Sequence, residues 1–405
     1  YSLASPPLWI AYTVPFTVDN EGFNLLSLRA IDKAGNVSSP GMLAVKIDKT
    51  APVTTWSGVP SSWSKEAVAC TLTPEDPAPA PAVSTSGVAS TTYRLLGAAQ
   101  WGTYAAPIDV SAEGETTFEV RSEDNAGNVE TPKTVTVRVD KTAPVTAVSG
   151  VPSGWTNDTV SASFQASDAH SGSAATYHKL GGGDTWSPGA SVQISDEGET
   201  QLSWYSEDNV GNAETPKTAT VRVDKTAPVT AVTGVPAAWS RSVKVTLEAV
   251  DGLAGVAAVQ YRLQGEATWN SYLAPFAPEQ GLRIYEFRSI DAAGNDETPG
   301  SVTVKYDSGK PAPKARSDRS VRRGQTVRLP YRVNDVCPQT KVSIRIYRGS
   351  RLVKTLSVGS RPSNRNLTYS YRCRLARGTY TWKVYAKDLA GNAQAKPGVR
   401  RLKVK

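Results

Sequence analysis

Aspartate is the residue of this sequence whose placement could do chemistry, because it returns in three settings at fixed distances. It opens a DxAGN-like motif five times, at Asp32–Asn36, Asp124–Asn128, Asp208–Asn212, Asp291–Asn295 and Asp388–Asn392. It opens DKTAPVT at Asp48, Asp140 and Asp224, and the degraded copy DSGKPAP at Asp307. A third set, Asp76, Asp168, Asp251 and Asp335, falls between these two in each period. Carboxylates brought together repel unless they are paired or bind a cation, and Ca²⁺ takes six to eight oxygen ligands. The chemistry such sets could do is calcium coordination, although no cofactor is certain from the sequence. Catalysis finds little support. His170 and His178 occur in one repeat only, and there is no nucleophile elbow, P-loop or HExxH. The expectation is a chain that is not an enzyme.

The elements that must position these aspartates are β. Val68, Cys70 and Leu72 alternate with Ala69 and Thr71, and the pattern returns as Val160, Ala162, Phe164 and as Val243, Val245, Leu247. Alternation of this kind lines one buried strand face. TTFEVRS turns Phe118 and Val120 inward, with Thr117, Glu119 and Arg121 outward, and TVTVRVD turns in Val135, Val137 and Val139. No stretch has convincing helical periodicity, and no apolar run approaches the ~18 residues of a membrane span. Residues 122–152 and 206–236 differ at only four positions, so the period is a domain. About seven short strands per period, with turn signals every 8–12 residues, indicate an all-β chain of tandem immunoglobulin-like sandwiches in an elongated array.

The expected domains are a partial one at 1–48, then 49–140, 141–224, 225–307 and a basic C-terminal one at 308–405. Residues 1–48 match only the back half of a unit, Tyr1 aligning with Tyr93, Tyr177 and Tyr261. The preferred reading is a fragment of a longer array; the alternative is that a neighbour donates the missing strands. PAPAPAVST at 77–85 reads as an extended surface insertion, with a recognition motif as the alternative. DxAGN sits between the last two strands and reads first as a hairpin turn, with Gly supplying a positive φ.

In such a sandwich the loop between the second and third strands and the loop between the last two share one end, where the incoming linker also arrives. Each junction then gathers three aspartates: Asp48/Asp76/Asp124, Asp140/Asp168/Asp208, Asp224/Asp251/Asp291 and Asp307/Asp335/Asp388. Calcium would rigidify these junctions; alternatively Lys49, Lys141 and Lys225, or backbone amides, satisfy the carboxylates. No EF-hand-like loop is present.

The charge is uneven. Residues 308–405 carry 25 Lys and Arg against 3 Asp and Glu, while 1–307 carry 20 against 34. Arg322, Arg323, Arg345, Arg348, Arg351, Arg372, Arg374, Arg377, Arg400 and Arg401 could bind a polyanion (cell-wall teichoic acid, an acidic glycan or nucleic acid), dock on the acidic surface of a neighbouring copy to build a homopolymer, or simply form a solvated basic surface. No nucleic-acid-binding motif accompanies the charge, so specific nucleic-acid binding is not expected. Cys337 and Cys373 are expected to form a disulfide, suited to an oxidising exterior. Simple strand order, however, places them toward different ends. Cys70 lies in a core-facing row and reads as a small buried hydrophobe. Trp9, Trp101, Trp186 and Trp269 recur at one repeat position and read as core or edge plugs, with a sugar platform as the alternative.

The DKTAPVT linker, the D-x-x-SG loop at Asp168–Gly172 and the DxAGN turn together resemble bacterial immunoglobulin-like repeats of secreted and cell-surface proteins. The last domain, with RRGQTVRLPYRVND, CRLARGTYTWKVYAKDLAGN and RLKVK, resembles C-terminal sandwich modules of large secreted actinobacterial proteins. The resemblance covers essentially the whole chain and implies an extracellular stalk, spacer or fibre. It is also compatible with an adhesin or carbohydrate-binding array, or with an accessory region of a secreted hydrolase.

Overall fold

The computed structural model describes residues 1–3, 8–78 and 84–405, so the centre of the proline-rich insertion, 79–83, lies outside the described residues. All regular structure among the described residues is β, with no helix. The chain divides into two compact units. One comprises Tyr1–Val151, Ser161–Val192 and Gln201–Ala219; the other comprises Pro152–Val160, Gln193–Thr200 and Thr220–Lys405.

In the first unit, β1 (Gly22–Leu28) pairs antiparallel with β2 (Gly41–Ile47). Phe23, Leu25, Met42 and Leu43 of this pair are exposed. The repeat at 49–140 shows the sandwich most plainly. One sheet is β3 (Val53–Ser57), β4 (Val68–Glu75) and β7 (Ile108–Val110), in that spatial order. The other is β6 (Gly102–Thr103), β5 (Val88–Leu95), β8 (Gly114–Asp124) and β9 (Lys133–Val139). The alternation expected from sequence is the one observed. Val68, Cys70, Leu72, Ile108 and Val110 meet Phe118, Val120, Val135, Val137 and Val139 in one core. Cys70 is fully buried, and burial raises its thiol pKa, as befits a small hydrophobe.

Between β3 and β4 the chain changes sheets. Ser64 bridges Val139 in parallel, donating its amide to Arg138 and accepting from the Asp140 amide. The crossing is made at Gly58–Trp63, a GVPxxW motif that returns at Gly150–Trp155 and Gly234–Trp239, and Gly58 has φ +83°. In the same unit Thr146 pairs opposite Ala166, and Ser149 opposite Ser163, in an antiparallel ladder.

In the second unit, Val243, Val245 and Leu247 pack against Tyr285, Phe287 and Val304. The repeat at 308–405 has a three-stranded sheet, Ala312–Ala315, Thr326–Asn334 and Asn366–Arg372. Its second sheet has five strands in the order Arg319–Val321, Gly398–Val404, Gly378–Asp388, Gln339–Arg348 and Arg351–Pro362. Trp382, Tyr331, Leu329 and Ile344 fill the core between them. Strand Arg319–Val321 runs parallel to Gly398–Val404, with Val321 opposite Val404.

Candidate functional site at the domain junctions

Each linker aspartate leaves the last strand of one repeat and meets two loops of the next. The expected triads do gather. Ligand atoms of Asp48, Asp76 and Asp124 lie within 4.8 Å of one another, as do those of Asp140/Asp168/Asp208 and Asp224/Asp251/Asp291. The fourth cluster, Asp307, Asp335 and Asp388, also contains Cys337.

The carboxylates are held by amides. Asp48 accepts from the Ser86 amide at 2.6 Å and the Thr50 amide at 3.2 Å. Asp140 accepts from Ser171 at 2.8 Å and Thr142 at 3.2 Å, and Asp224 from Ala254 at 2.8 Å and Thr226 at 3.0 Å. Burial opposes ionisation of Asp48 and Asp140, but hydrogen bonds from Ser86 and Thr50, and from Ser171 and Thr142, outweigh it and lower both pKa values. The lysines take no part. Lys49 pairs with Asp19, while the ammonium groups of Lys141 and Lys225 donate to the carbonyls of Ser111 and Ser195.

The DxAGN turn is a hairpin turn and something more. Its aspartate closes the turn on itself: Asp124 Oδ1 accepts the Ala126 and Asn128 amides, both at 2.8 Å. The final asparagine then reaches backward across the junction. Asn128 Nδ2 donates to the Asp48 carbonyl at 3.0 Å, Asn212 to Asp140 at 3.0 Å, Asn295 to Asp224 at 2.8 Å and Asn392 to Asp307 at 2.9 Å. From the upstream side, Glu21, Glu113 and Glu197 accept the amides of Lys49, Lys141 and Lys225. Three linkers are thus bonded to the repeat they leave and to the repeat they enter. The same Nδ2 also donates to the turn aspartate, as Asn128 does to Asp124 at 2.7 Å, so the Asn kept in all five copies serves the turn in each and the junction in four.

A second repeated device also escaped the sequence reading. Glu130, two residues beyond the turn, is buried and accepts the Thr54 amide at 2.8 Å and the Ser122 amide at 3.2 Å, while Lys133 pairs with it at 2.7 Å. Glu214 does the same for Thr146 and Ser206 with Lys217. In 225–307 Glu297 keeps Thr230 and Ser289, but Gly300 stands where the lysine would be. At 308–405, Pro313 replaces the threonine and has no amide to donate, and neutral Gln394 replaces the glutamate.

No family model and no curated protein matches the chain. Among solved structures it is similar to a tetra-tandem repeat in the extending region of a large adhesion protein. That match has 17% identity, covers 88% of this chain and 99% of that one, and has a TM-score of 0.34. It is similar also to an I-band fragment of titin, at 12% identity, 65% and 99% coverage and a TM-score of 0.37. Fibronectin(III)-like modules of Clostridium thermocellum CbhA match at 14% identity, 44% and 94% coverage and a TM-score of 0.21.

The fourth junction differs electrostatically. Burial, and then the negative charge of Asp307, push the Asp335 carboxyl up to about 7. Burial and Asp307 likewise push the Cys337 thiol up to about 12. This placement corrects the expected disulfide: Cys337 and Cys373 are both buried free thiols. Cys337 sits in the junction cluster just beyond the end of strand Thr326–Asn334, whereas Cys373 bonds to Gln325 and Gly324 at the start of that strand. Nine strand residues separate the two ends by about 25 Å, far beyond the ~7 Å that a disulfide allows between Cα atoms.

The ten arginines do not form one patch. Arg322, Arg323 and Arg377 line a hollow with Lys405 at the end remote from the junction cluster. Arg348 and Arg351 flank a hairpin tip, and Arg372 donates to the Gly324 carbonyl. Arg400 lines a separate hollow with Arg316 and Arg332, and Arg401 donates its amide to Asp318. Arg345 lies over the Tyr385 ring, and Arg374 follows Cys373 in the loop between strands Asn366–Arg372 and Gly378–Asp388.

The recurring tryptophans are half-buried edge residues covered by cations, and none belongs to a core. Trp101 packs under Arg94 and Arg121 at 4.5 and 4.3 Å, and Trp269 under Arg262 and Arg288 at 4.3 and 4.8 Å. Trp186 has Lys179 and Trp9 has Arg29. His170 lies beside Trp63 and Glu113, and His178 stacks on Phe164.

Proposed function

We propose that the chain is a non-catalytic, extracellular structural array of the bacterial, actinobacterial type its motifs resemble. In this reading it spaces or projects what it is joined to, and the basic last repeat anchors it. The observation that carries the reading is the linker bonded on both sides, by a glutamate of the repeat behind and an asparagine and amide of the repeat ahead. Such bonding restricts the junction, and Pro52, Pro144 and Pro228 restrict it further by fixing φ. The recurrent carboxylates are engaged with amides rather than poised in a cleft, which favours a structural over a catalytic role. Carbohydrate binding by an adhesin is less favoured, because the recurring tryptophans carry cations on their rings. An accessory role beside a secreted hydrolase uses the same spacing function.

The test is the triple variant Asn128→Ala, Asn212→Ala, Asn295→Ala. Each change removes two bonds worth ~1 kcal/mol each, one across the junction and one within the turn, so the repeats remain folded while the distribution of interdomain distances in solution scattering broadens. Scattering identical to that of the parent chain would remove the brace and the reading built on it.

Calcium at the same carboxylates is a second reading, favoured by one atom: Asp76 Oδ1 is buried without a hydrogen-bond partner in the Asp48/Asp76/Asp124 cluster. Millimolar calcium is then expected to raise the unfolding temperature of the 49–140 repeat, and Asp76→Asn to abolish the rise. Indifference of the melting curve to calcium and EDTA rules this reading out.

A further inference from the structure

In 308–405, strands Gln339–Arg348 and Gly378–Asp388 form the middle of the five-stranded sheet. Val342, Ile344, Val384 and Ala386 point into the core. The alternate residues, among them Lys341, Arg345, Lys383 and Lys387, therefore lie on the outer face. The register sets Lys341 directly opposite Lys387 and Arg345 directly opposite Lys383. Like charges facing each other across a ladder are destabilising. No carboxylate relieves them: of the three acids in this repeat, Asp335 and Asp388 belong to the junction cluster and Asp318 accepts the Arg401 amide.

The earlier repeats show what this face is without its special task. Counting back from the turn aspartate, Lys383 occupies the place of Glu119 and Glu286. There the opposed pairs are Arg94–Glu119 at 2.6 Å and Arg262–Glu286 at 2.7 Å. Lys387 likewise stands where Glu123 and Glu207 stand. The last repeat keeps the arginine, reverses the charge of its partner and leaves two opposed cation pairs. The pairs are four residues apart along the strand, about 13 Å. Between them is a hollow of about 370 Å³ that Ser343, Ser357, Tyr385 and Gln394 help to line.

We propose that this face binds a linear phosphodiester polymer without bases, of the polyol-phosphate kind, lying across the two cation pairs. A single small anion cannot reach both. The aromatic rings on the face are already taken: Arg345 lies 4.5 Å over Tyr385, and Lys383 lies 4.7 Å over Tyr347. Base stacking needs a free ring face, so charge and hydrogen bonding to backbone phosphates are what this surface offers. An acidic neighbouring copy fits less well, because Glu119, Glu286, Glu115 and Glu199 are already paired with arginines of their own repeats. The inference deepens the anchoring role proposed above, and its failure leaves the junction brace untouched.

The experiment uses the full chain with poly(glycerol phosphate), a thymidine oligonucleotide and polygalacturonate as probes, at two salt concentrations. Poly(glycerol phosphate) is expected to bind best and to weaken with salt. The double variant Lys383→Glu, Lys387→Glu restores the charges of the earlier repeats, so it is expected to fold at least as well and to lose binding by about tenfold or more. Arg322→Glu, at the remote end, should change affinity less than about twofold. Three results would overturn the proposal: undiminished binding by the double variant, equal or tighter binding of either other polymer, or self-association of the chain in place of polymer binding.

Discussion

Gly150→Ala is expected to destabilise its repeat by roughly 3 kcal/mol, from a left-handed backbone strain of about 1–2 kcal/mol and a steric cost of similar size. Gly150 has φ +80°, and an added Cβ would lie 2.1 Å from the Ser161 carbonyl oxygen. That oxygen belongs to a strand and cannot swing aside. Gly127 provides the control. It has φ +88°, yet a Cβ there meets nothing within 4 Å, so Gly127→Ala should cost only the backbone strain. Unfolding of a multidomain chain is not two-state, so the measurement is amide hydrogen exchange resolved by segment. Exchange of the most protected amides between 141 and 224 should accelerate by about a hundredfold in the first variant. Similar effects for the two substitutions would show that the close approach is not what fixes glycine at GVPxxW.

The second large effect is expected at Glu130. Glu130→Ala removes the acceptor of two buried amides and of the Thr54 hydroxyl, and strands the Lys133 ammonium. Unsatisfied buried donors cost about 1–3 kcal/mol each, so a loss of roughly 3 kcal/mol in the 49–140 repeat is expected. The effect depends on pH. Burial opposes ionisation of Glu130, but Lys133 and Thr54 outweigh it, and the folded-state pKa lies below the ordinary value. A depressed carboxylate pKa means that the unfolded chain binds the proton more readily. The contribution is therefore complete above the unfolded value of about 4.3 and is lost as pH falls through the folded value. Exchange of the repeat measured at neutral pH and near pH 3 should show parent and variant converging in acid. A constant gap would mean that the carboxylate charge is not the source of the stability.

What sequence could and could not show follows from the reach of each interaction. The strand faces were readable because alternation is local: Val68, Cys70 and Leu72 carry their own direction. The aspartate clusters were readable at one remove, because sandwich topology places loops at common ends. The brace was not, since Asn128 and Asp48 are 80 residues apart and nothing near either names the other. The same holds for Thr54 and Glu130, 76 residues apart. The near-identical copies could have served as a small alignment, for Thr in APVT and Glu in ETP persist together in three repeats. In 308–405 they are Pro313 and Gln394. Cys337 and Cys373 stay apart because they lie beyond opposite ends of strand Thr326–Asn334, a separation that cysteine number and compartment chemistry do not encode.

The parallel bridge between the early strand and the last strand of a repeat has a mechanical consequence. The chain reaches one of these strands just after the first strand of the repeat and leaves by the other. Because they run in the same direction, a pull on the two ends slides one strand along the other. The hydrogen bonds between them are then sheared together instead of being opened one by one like a zip. Resistance to a pull should grow with the number of paired residues. That number is a single bridge at Ser64–Val139 and again at Ser240–Tyr306, two pairs at Trp155–Thr156 with Arg222–Val223, and three pairs at Arg319–Val321 with Leu402–Val404. On this geometry the repeat proposed as the anchor would be the last to yield under load.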